Sequence, residues 1–390
     1  MKAEREVLVL ALNSGSSSLK FGLYRMQAQE THRLISGEAE SIGKKKGDFH
    51  AQDAHGAALI RESAALPTQE AAVTRFARLL IDLKMPAPQS VGHRIVHGGP
   101  KLRHPCVIDD SVLGELEAAT AFAPLHMPAA LSVIRCARAH YPGLPQVACF
   151  DTTFHASMPD VARVLPIPRA LRAEGVERYG FHGLSCESIV RQLGDRLPGD
   201  LLIAHLGNGA SITAVKRGRS IDTSMGLTPT GGIIMGTRSG DLDPGVLVYL
   251  AREKKLDVSR LEELVDRRSG LLGISGVSED LRNLDKAPPS NADARLAIAM
   301  FCYSAAKQLA AMCVALGGLD SIVFTGGIGE HDARARDAIC AHLAVLGVRL
   351  DAARNRNAND PISDSASRCE VRVLPSQEDE QIAHNARALY

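Results

Sequence analysis

The sequence predicts an α/β protein of two domains, and three observations carry that prediction. A chain of 390 residues exceeds what one hydrophobic core ordinarily covers, so two cores are expected. Short apolar segments with β-branched content alternate with longer segments of helical spacing, the pattern of a sheet covered by helices. One strand, polar turn, strand pattern occurs at 7–24 and again at 201–215, which suggests two related halves.

In the first copy, 7–12 is an apolar run, ended by Asn13-Ser14-Gly15-Ser16-Ser17-Ser18, and 19–24 alternates again. Ser, Asn and Gly are turn formers because they hydrogen-bond locally or tolerate unusual dihedrals. In the second copy, 201–204 leads into His205-Leu206-Gly207-Asn208-Gly209 and out through 211–215. Between the copies the spacing predicts helices over 69–83, 111–121 and 129–139 and a strand over 146–150. Beyond them it predicts helices over 244–254, 259–268 and 292–316, then a strand over 321–325 running into Gly326-Gly327-Ile328-Gly329. A strand over 370–375 and a short helix from about Asp379 end the chain.

Composition excludes several classes. Apolar residues at 45%, charged at 23% and aromatic at 4%, with no Trp, describe a folded globular chain rather than a disordered or fibrous one. Lys plus Arg (45) nearly cancels Asp plus Glu (44), so no net positive field draws the chain to nucleic acid or an anionic membrane. The run Lys44-Lys45-Lys46 reads as a solvated loop. Eight scattered cysteines show no Cys-x-x-Cys pair and no zinc spacing, which fits a reduced, cytoplasmic protein. The N-terminal MKAEREVLVLALNSG carries acidic residues and enters a strand without a signal-peptide pattern. The apolar stretch 300–319 is broken by Lys307 and Gln308 and reads as a buried helix rather than a membrane span.

Several segments have the composition of ligand sites. Asn13 to Lys20 combines hydroxyls, a flexible Gly15 and a terminal amine, so its backbone N–H groups and Lys20 can face phosphate oxygens; a plain hairpin turn is the alternative. The spacing is not that of a Walker A loop. Phe324 to Glu330 places glycines after a strand, either for close approach of a flat ligand or phosphate or as a tight strand-to-helix turn, and it lacks the full dinucleotide signature. Arg94 and Arg238 each sit in glycine-rich surroundings, where a planar guanidinium suits a carboxylate or phosphate, or else pairs with a structural Asp. Asp151 ends a strand, a usual place for catalytic groups in α/β proteins. His182 lies between apolar neighbours, where a satisfied core histidine is the alternative.

Taken in order, Asn13 to Lys20, His93 to Gly99, Pro124-Leu125-His126, Phe150-Asp151-Thr152, Phe181-His182-Gly183, His205 to Ile212, Met235 to Pro244 and Thr325 to Glu330 resemble the acetate kinase family over almost the whole chain. The resemblance implies two duplicated ribonuclease-H-like, actin-like ATPase domains around a central nucleotide cleft. The domains would be 1–150 plus 377–390 and 151–376. It implies that Lys20 and His205, Leu206, Gly207, Asn208 and Gly209 face the nucleotide phosphates. Asp280, Leu281, Arg282, Gly327, Ile328, Gly329, Glu330 and His331 would hold the adenosine. Asn13 and Glu378 would position Mg²⁺, for which Mn²⁺ can substitute. Arg94 and Arg238 would bind the carboxylate and the moving phosphoryl group, with His182 on the equatorial oxygens, His126 nearby and Asp151 as the catalytic acid. Val96, Leu125, Phe181 and Pro229 would complete the acyl site.

The implied activity is reversible transfer of a phosphoryl group between ATP and acetate, in a homodimer without nucleic-acid or membrane partners. A carboxylate is already ionised near neutral pH and needs no general base, so the residues themselves suggest Asp151 as an orienter of metal, Arg or substrate. A propionate kinase of the same family and a non-catalytic nucleotide-binding module are the alternatives. The sequence departs from the family pattern at Met127, Leu184, Cys186 and His331, and in Ser376-Gln377-Glu378-Asp379-Glu380.

Overall fold

The computed structural model describes residues 6–27 and 30–390; the first five residues, part of the N-terminal segment read above, lie outside the described residues. The chain divides into two compact units, Met1–Thr153 with Gly183–Ser188 and Gln377–Tyr390, and Phe154–His182 with Ile189–Ser376.

The first unit holds strands β1 (Val7–Ser14), β2 (Leu19–Met26), β3 (Thr31–Glu40), β4 (Gly47–Asp53), β5 (Ala58–Ala64), β6 (Ser90–Ile95), β7 (Cys106–Val107) and β8 (Gln146–Phe150). They form one sheet in the order β5-β4-β3-β2-β1-β6-β8-β7. The strands β1 to β5 pair antiparallel in sequence, whereas β1, β6 and β8 run parallel. Strand β1 is buried on both faces, and the two-residue period of a strand sorts its side chains. Leu10 and Leu12 join Phe21, Phe49 and Phe76 on one side. Val9 and Ala11 meet Cys149, Ile382, Ala383 and Ala386 on the other. That is why the segment reads as a continuous apolar run.

Helix Gln69–Asp82 begins because Thr68 accepts a hydrogen bond from the Ala71 N–H, and it covers the first face together with Met127–His140. The opposite face receives the C-terminal helix Glu378–Ala388, which buries Ile382, Ala383 and Ala386. Its close approach depends on Gly92 in β6. A Cβ there would stand 2.6 Å from Ile382 Cγ2 and 3.1 Å from the Ile382 carbonyl oxygen.

The second unit holds β9 (Asp200–Leu206), β10 (Ala210–Lys216), β11 (Arg219–Thr223), β12 (Ser321–Thr325) and β13 (Glu370–Val373), in the sheet order β11-β10-β9-β12-β13. An antiparallel trio is again followed by two parallel strands, as in β3-β2-β1-β6-β8. The repeated hairpin therefore belongs to a repeated sheet topology. The helix Ala292–Leu316 has the length and apolar composition of a membrane span, but packs Phe301, Cys302, Ala305, Leu309 and Met312 inward. Gly317, at φ 76°, ends it in the left-handed conformation that glycine adopts without strain.

Three differences from the sequence reading have local causes. Strands β3, β4, β5 and β11 carry polar residues on half-exposed faces, so their pattern is too weak to register. His205 and Leu206 lie in β9 and Asn13 and Ser14 in β1, because ladder pairing continues into the polar residues; the true turns are three or four residues long. The segment Gly326–His331 is itself a short helix rather than a loop preceding one. The Lys44 to Lys46 turn is exposed.

Gly92→Ala should force the C-terminal helix outward and lower the unfolding free energy by about 1–3 kcal/mol. Urea denaturation of the variant against the parent protein measures this.

Candidate functional site

In the first unit the carboxyl ends of three neighbouring parallel strands supply Asn13 from β1, Arg94 from β6 and Asp151 just beyond β8. Arg94 Nε donates to Asp151 Oδ2 at 3.0 Å and Oδ1 at 3.2 Å, and Nη2 donates to Oδ2 at 2.7 Å. Nη1 donates to Asn13 Oδ1 at 3.3 Å. The side chains are 19% and 2% exposed for Arg94 and Asp151, so both charges are largely withdrawn from water. Burial works against the Arg94 charge, but the carboxylates of Asp151 and Glu378 outweigh it and raise its pKa above the ordinary value. Burial raises the Asp151 pKa, with Glu378 adding to the rise, but a charged guanidinium that directs two N–H groups at the carboxylate opposes this and favours its ionised form.

Among the described residues the fork is only partly used. Of its five N–H groups, three are engaged by Asp151 and Asn13. One remains on each terminal nitrogen, a pair suited to two oxygens of one anion.

Asn13 extends the network in the other direction. Its Nδ2 donates to Asp379 Oδ1 at 2.8 Å and Glu378 Oε2 at 3.2 Å. Both acids lie in the first turn of the C-terminal helix, where the helix dipole favours negative charge. Lys20 stands directly across the ladder from Asn13, and opposite residues share a sheet face. Desolvation lowers the Lys20 pKa, while Glu38, Asp379 and Glu378 raise it by more. Burial raises the Asp379 pKa, against the Asn13 hydrogen bond and Lys20. Two carboxylates and an amide form an oxygen-bearing set that suits Mg²⁺ carried on nucleotide phosphates. Among the described residues no group of three His, Cys, Asp or Glu forms a self-sufficient metal cage.

Gln69, the first residue of the helix Gln69–Asp82, supports this unit's polar turn, and sequence reasoning missed it. Its buried amide donates to the carbonyls of Gly15 at 3.1 Å and Ser18 at 3.4 Å, and Ile42 N–H takes the Ser17 carbonyl. Gly15 N–H closes the turn on the Ser18 carbonyl at 2.9 Å, which leaves Ser16 and Ser17 exposed at its tip. No local signal marks a residue 51 and 54 positions away from its partners. Val96 is buried, and Leu125 and His126 are half-buried at the start of helix Met127–His140. His93, whose pKa burial pushes down to about 4, is a neutral strap from β6 to Gln146 in β8.

In the second unit His182 is held at φ 59°, stacks on His205 at 4.2 Å between ring centroids, and hydrogen-bonds Ser211 Oγ through Nδ1 at 2.9 Å. Ser211 faces His205 across the ladder, the same geometry that joins Asn13 to Lys20. This pairing could have found Ser211 once the turn length was known. Gly209 lies beside the cluster: a Cβ on it would be 3.2 Å from His182 Nε2 and 3.3 Å from Arg238 Nη1. Arg238 donates to the Pro229 carbonyl at 3.1 Å, so Pro229 acts here through its backbone. Phe181 is buried and its carbonyl accepts from His155 Nε2 at 2.9 Å; burial pushes the His155 pKa to about 4, making it the core histidine of this segment.

The residues assigned to adenosine divide. Asp280 caps the helix Leu281–Asp285 and pairs with exposed Arg282 at 2.7 Å, while Leu281 is buried. Gly327 and His331 are exposed, and Ile328 is half-buried. Gly329 is buried, and its carbonyl accepts from Arg336. The Glu330 carboxylate turns back to accept from the Gly326 N–H at 3.0 Å and the Ser376 N–H at 2.9 Å. Leu206 is buried, Gly207 donates to the Gly209 carbonyl at 3.0 Å, and the Asn208 carbonyl accepts from Gly236 at 3.2 Å.

The acetokinase family model matches residues 8–384. The chain belongs to the acetokinase family. The acetate kinase of Rhodopseudomonas palustris is 40% identical over 391 residues, covering 97% of each chain. That of Deinococcus radiodurans is 44% identical over 355 residues, covering 89% of this chain and 88% of its own. Among solved structures, a propionate kinase from Francisella tularensis matches with a TM-score of 0.92 at 35% identity, covering 98% of this chain and 100% of that one. The Porphyromonas gingivalis acetate kinase matches with a TM-score of 0.86 at 35% identity, covering 98% and 99%. Membership makes this acetokinase a kinase with a carboxyl acceptor, and the actin-like duplicated fold expected from the sequence is the fold of those structures.

With the roles that the family resemblance implies, Arg94→Ala and Arg238→Ala should each lower turnover by about 10²–10³-fold, the cost of removing one donor to a developing anion. Steady-state kinetics at saturating ATP, acetate and Mg²⁺, with circular dichroism to verify folding, provide the check; near-normal turnover removes that arginine from the site.

Proposed function

We propose that this acetokinase transfers a phosphoryl group reversibly between ATP and acetate, giving acetyl phosphate and ADP by direct in-line displacement. The observation that carries the reading is the Arg94 fork, fixed by Asp151 and Asn13 with two N–H groups left for an anion. A nucleotide clamp without chemistry has no need of that arrangement. In the forward direction a carboxylate oxygen forms the new O–P bond as the bond from the γ-phosphorus to the bridging oxygen breaks. ADP leaves with that electron pair. No proton is removed from the nucleophile, because an ordinary carboxyl group is ionised at neutral pH. Asp151 accordingly serves to hold Arg94 rather than to act as an acid or base.

Phosphoryl transfer depends on alignment and on cationic stabilisation of the three equatorial oxygens. The reading gives Arg94 the carboxylate and Arg238 and His182 the moving group, with Lys20 and the turn His205, Leu206, Gly207, Asn208 and Gly209 at the nucleotide phosphates. Ser211 and the His205 ring support the orientation of His182. Asp280, Leu281, Arg282 and the segment Gly327, Ile328, Gly329, Glu330 and His331 take the adenosine side. Val96, Leu125, His126, Phe181 and Pro229 take the acyl side. Mg²⁺, or Mn²⁺, would be held near Asn13 and Glu378, with Asp379 adjoining, and would supply charge neutralisation. The functional domains are 1–150 with 377–390, and 151–376. The eight free thiols support a reducing cytoplasmic setting, and the family resemblance a homodimer. A hydroxamate assay for acyl phosphate with acetate, ATP and Mg²⁺ tests the activity, and absence of product would return the chain to nucleotide binding alone.

Glu378→Ala should raise the Mg²⁺ concentration for half-maximal rate more than the acetate KM, since carboxylates anchor Mg²⁺ beside nucleotide phosphates. An unchanged Mg²⁺ titration would move the role to Asp379 or away from this helix.

The match to a propionate kinase gives a second reading, differing only in acyl pocket size. One methylene in a small apolar pocket changes kcat/KM by about 10- to 200-fold. Acetate should therefore lead, propionate follow and butyrate be poor, and Val96→Ala should narrow the gap through a better propionate KM. Wild-type kcat/KM for propionate equal to or above that for acetate overturns the choice of substrate.

A further inference from the structure

The family resemblance assigned Glu330 to the nucleotide, but its carboxylate is engaged by the protein. Oε1 accepts from Gly326 N–H at 3.0 Å and from Ser376 N–H at 2.9 Å. Gly326 opens the glycine-rich helix Gly326–His331 at φ 77°. Ser376 is the last residue of its unit, two positions ahead of Glu378 and three ahead of Asp379. One oxygen thus pins the start of one ligand-side segment and the approach to another.

The other end of the same short helix is also fixed. Arg336 is fully buried, and its Nη1 donates to the carbonyls of Gly329 and Glu330 at 2.9 Å each. Its Nε and Nη2 donate to Asn355 Oδ1 at 2.8 Å and to the Asn355 carbonyl at 2.7 Å. Burial lowers the Arg336 pKa, a cost borne for neutral acceptors, which marks the position as structurally demanding. A six-residue helix cannot hold itself, since its end groups outnumber its internal hydrogen bonds. Here the Glu330 side chain satisfies the first N–H, as a capping acid does, and Arg336 satisfies the last carbonyls.

We propose that Glu330 is a positioning residue that fixes two segments of the second unit together, the Gly326–His331 turn and the chain at Ser376 that leads on to Glu378 and Asp379, rather than a direct nucleotide ligand. The two segments then share one determinant, so nucleotide affinity and metal requirement move together when it is lost. The inference rests on the proposed ATP and Mg²⁺ roles of those segments for its kinetic consequence, and on geometry alone for the pinning.

The test uses the full-length protein with Glu330→Gln, Glu330→Asp and Glu330→Ala. Gln keeps an oxygen at the same reach that accepts both N–H groups, Asp is one methylene short, and Ala removes the acceptor. Hydrogen exchange is read in peptides covering 322–328 and 373–378 without nucleotide. Steady-state kinetics then give the ATP KM and the Mg²⁺ concentration for half-maximal rate. Asp and Ala should each speed exchange in both peptides by about 10-fold or more, the loss expected for a charge-assisted hydrogen bond. They should raise the ATP KM and the Mg²⁺ requirement together, and Gln should restore all four readouts to within about 3-fold. A rise in the ATP KM alone, with exchange around Ser376 unchanged, means direct nucleotide contact and overturns the proposal. Faster exchange in both peptides with wild-type kinetics also overturns it. If the wild-type chain makes no acyl phosphate, the exchange result still decides the pinning while the proposed function fails separately. Should Ala not fold, Gln against Asp carries the same comparison.

Discussion

The first unit's chemistry hangs on the buried ion pair of Arg94 with Asp151. Neither charge is tolerable there alone, since the cost of an unpaired buried ion exceeds what packing can offset. Pairing fixes the ends of β6 and β8 relative to each other, and Asn13 ties β1 into the same network. Because Asn13 accepts from Arg94 and donates to Glu378 and Asp379, a single amide separates a cation from two carboxylates and orients both. An Asp at this position would accept but not donate, and would face two like charges. The amide is therefore the chemically sufficient choice.

The second unit orders its polar groups through stacking and a hydroxyl rather than through an ion pair. Its hairpin places His205 opposite Ser211, and His182 joins them through a stacked ring and a hydroxyl. The left-handed backbone of His182 is a conformation that a non-glycine residue holds only when its surroundings impose it. Gly209 leaves room beside both His182 Nε2 and Arg238 Nη1, so two potential cationic donors converge where a side chain would otherwise stand. The repeated strand order supplies the frame, and the turn residues decide what each frame presents.

Much of this was legible in the sequence because the relevant signals are local. The strands Gln146–Phe150 and Ser321–Thr325 and the helix Ala292–Leu316 have the bounds their apolar spacing predicts. Arg94 stood out in its glycine-rich surroundings and Asp151 at the end of a strand, and the structure brings them together. What could not be read was long-range or carried by backbone. Gln69 acts on carbonyls at Gly15 and Ser18, Pro229 through its own carbonyl, and Glu330 on two amides. None of these leaves a pattern of residue types at a fixed spacing. The edge strands β3 to β5 escaped because half-exposed faces dilute alternation.

The departures from the family pattern follow from the same distinction. Met127, Leu184 and Cys186 are buried; Leu184 packs with Val147, Cys149 and Ile382. Apolar side chains at these positions are stabilised by the core they enter. His331 is exposed, where substitution costs little stability. Ser376 and Gln377 act through main-chain N–H groups, toward Glu330 Oε1 and Ser188 Oγ. A backbone donor is present in every residue but proline, so these two contacts do not depend on which side chain stands at either position. The side chains that cannot be replaced in this way are those whose own atoms make the network, Asn13, Arg94, Asp151 and the two acids that Asn13 joins. All of them are present in this chain, which is why its divergence elsewhere leaves the arrangement of charges at the site intact.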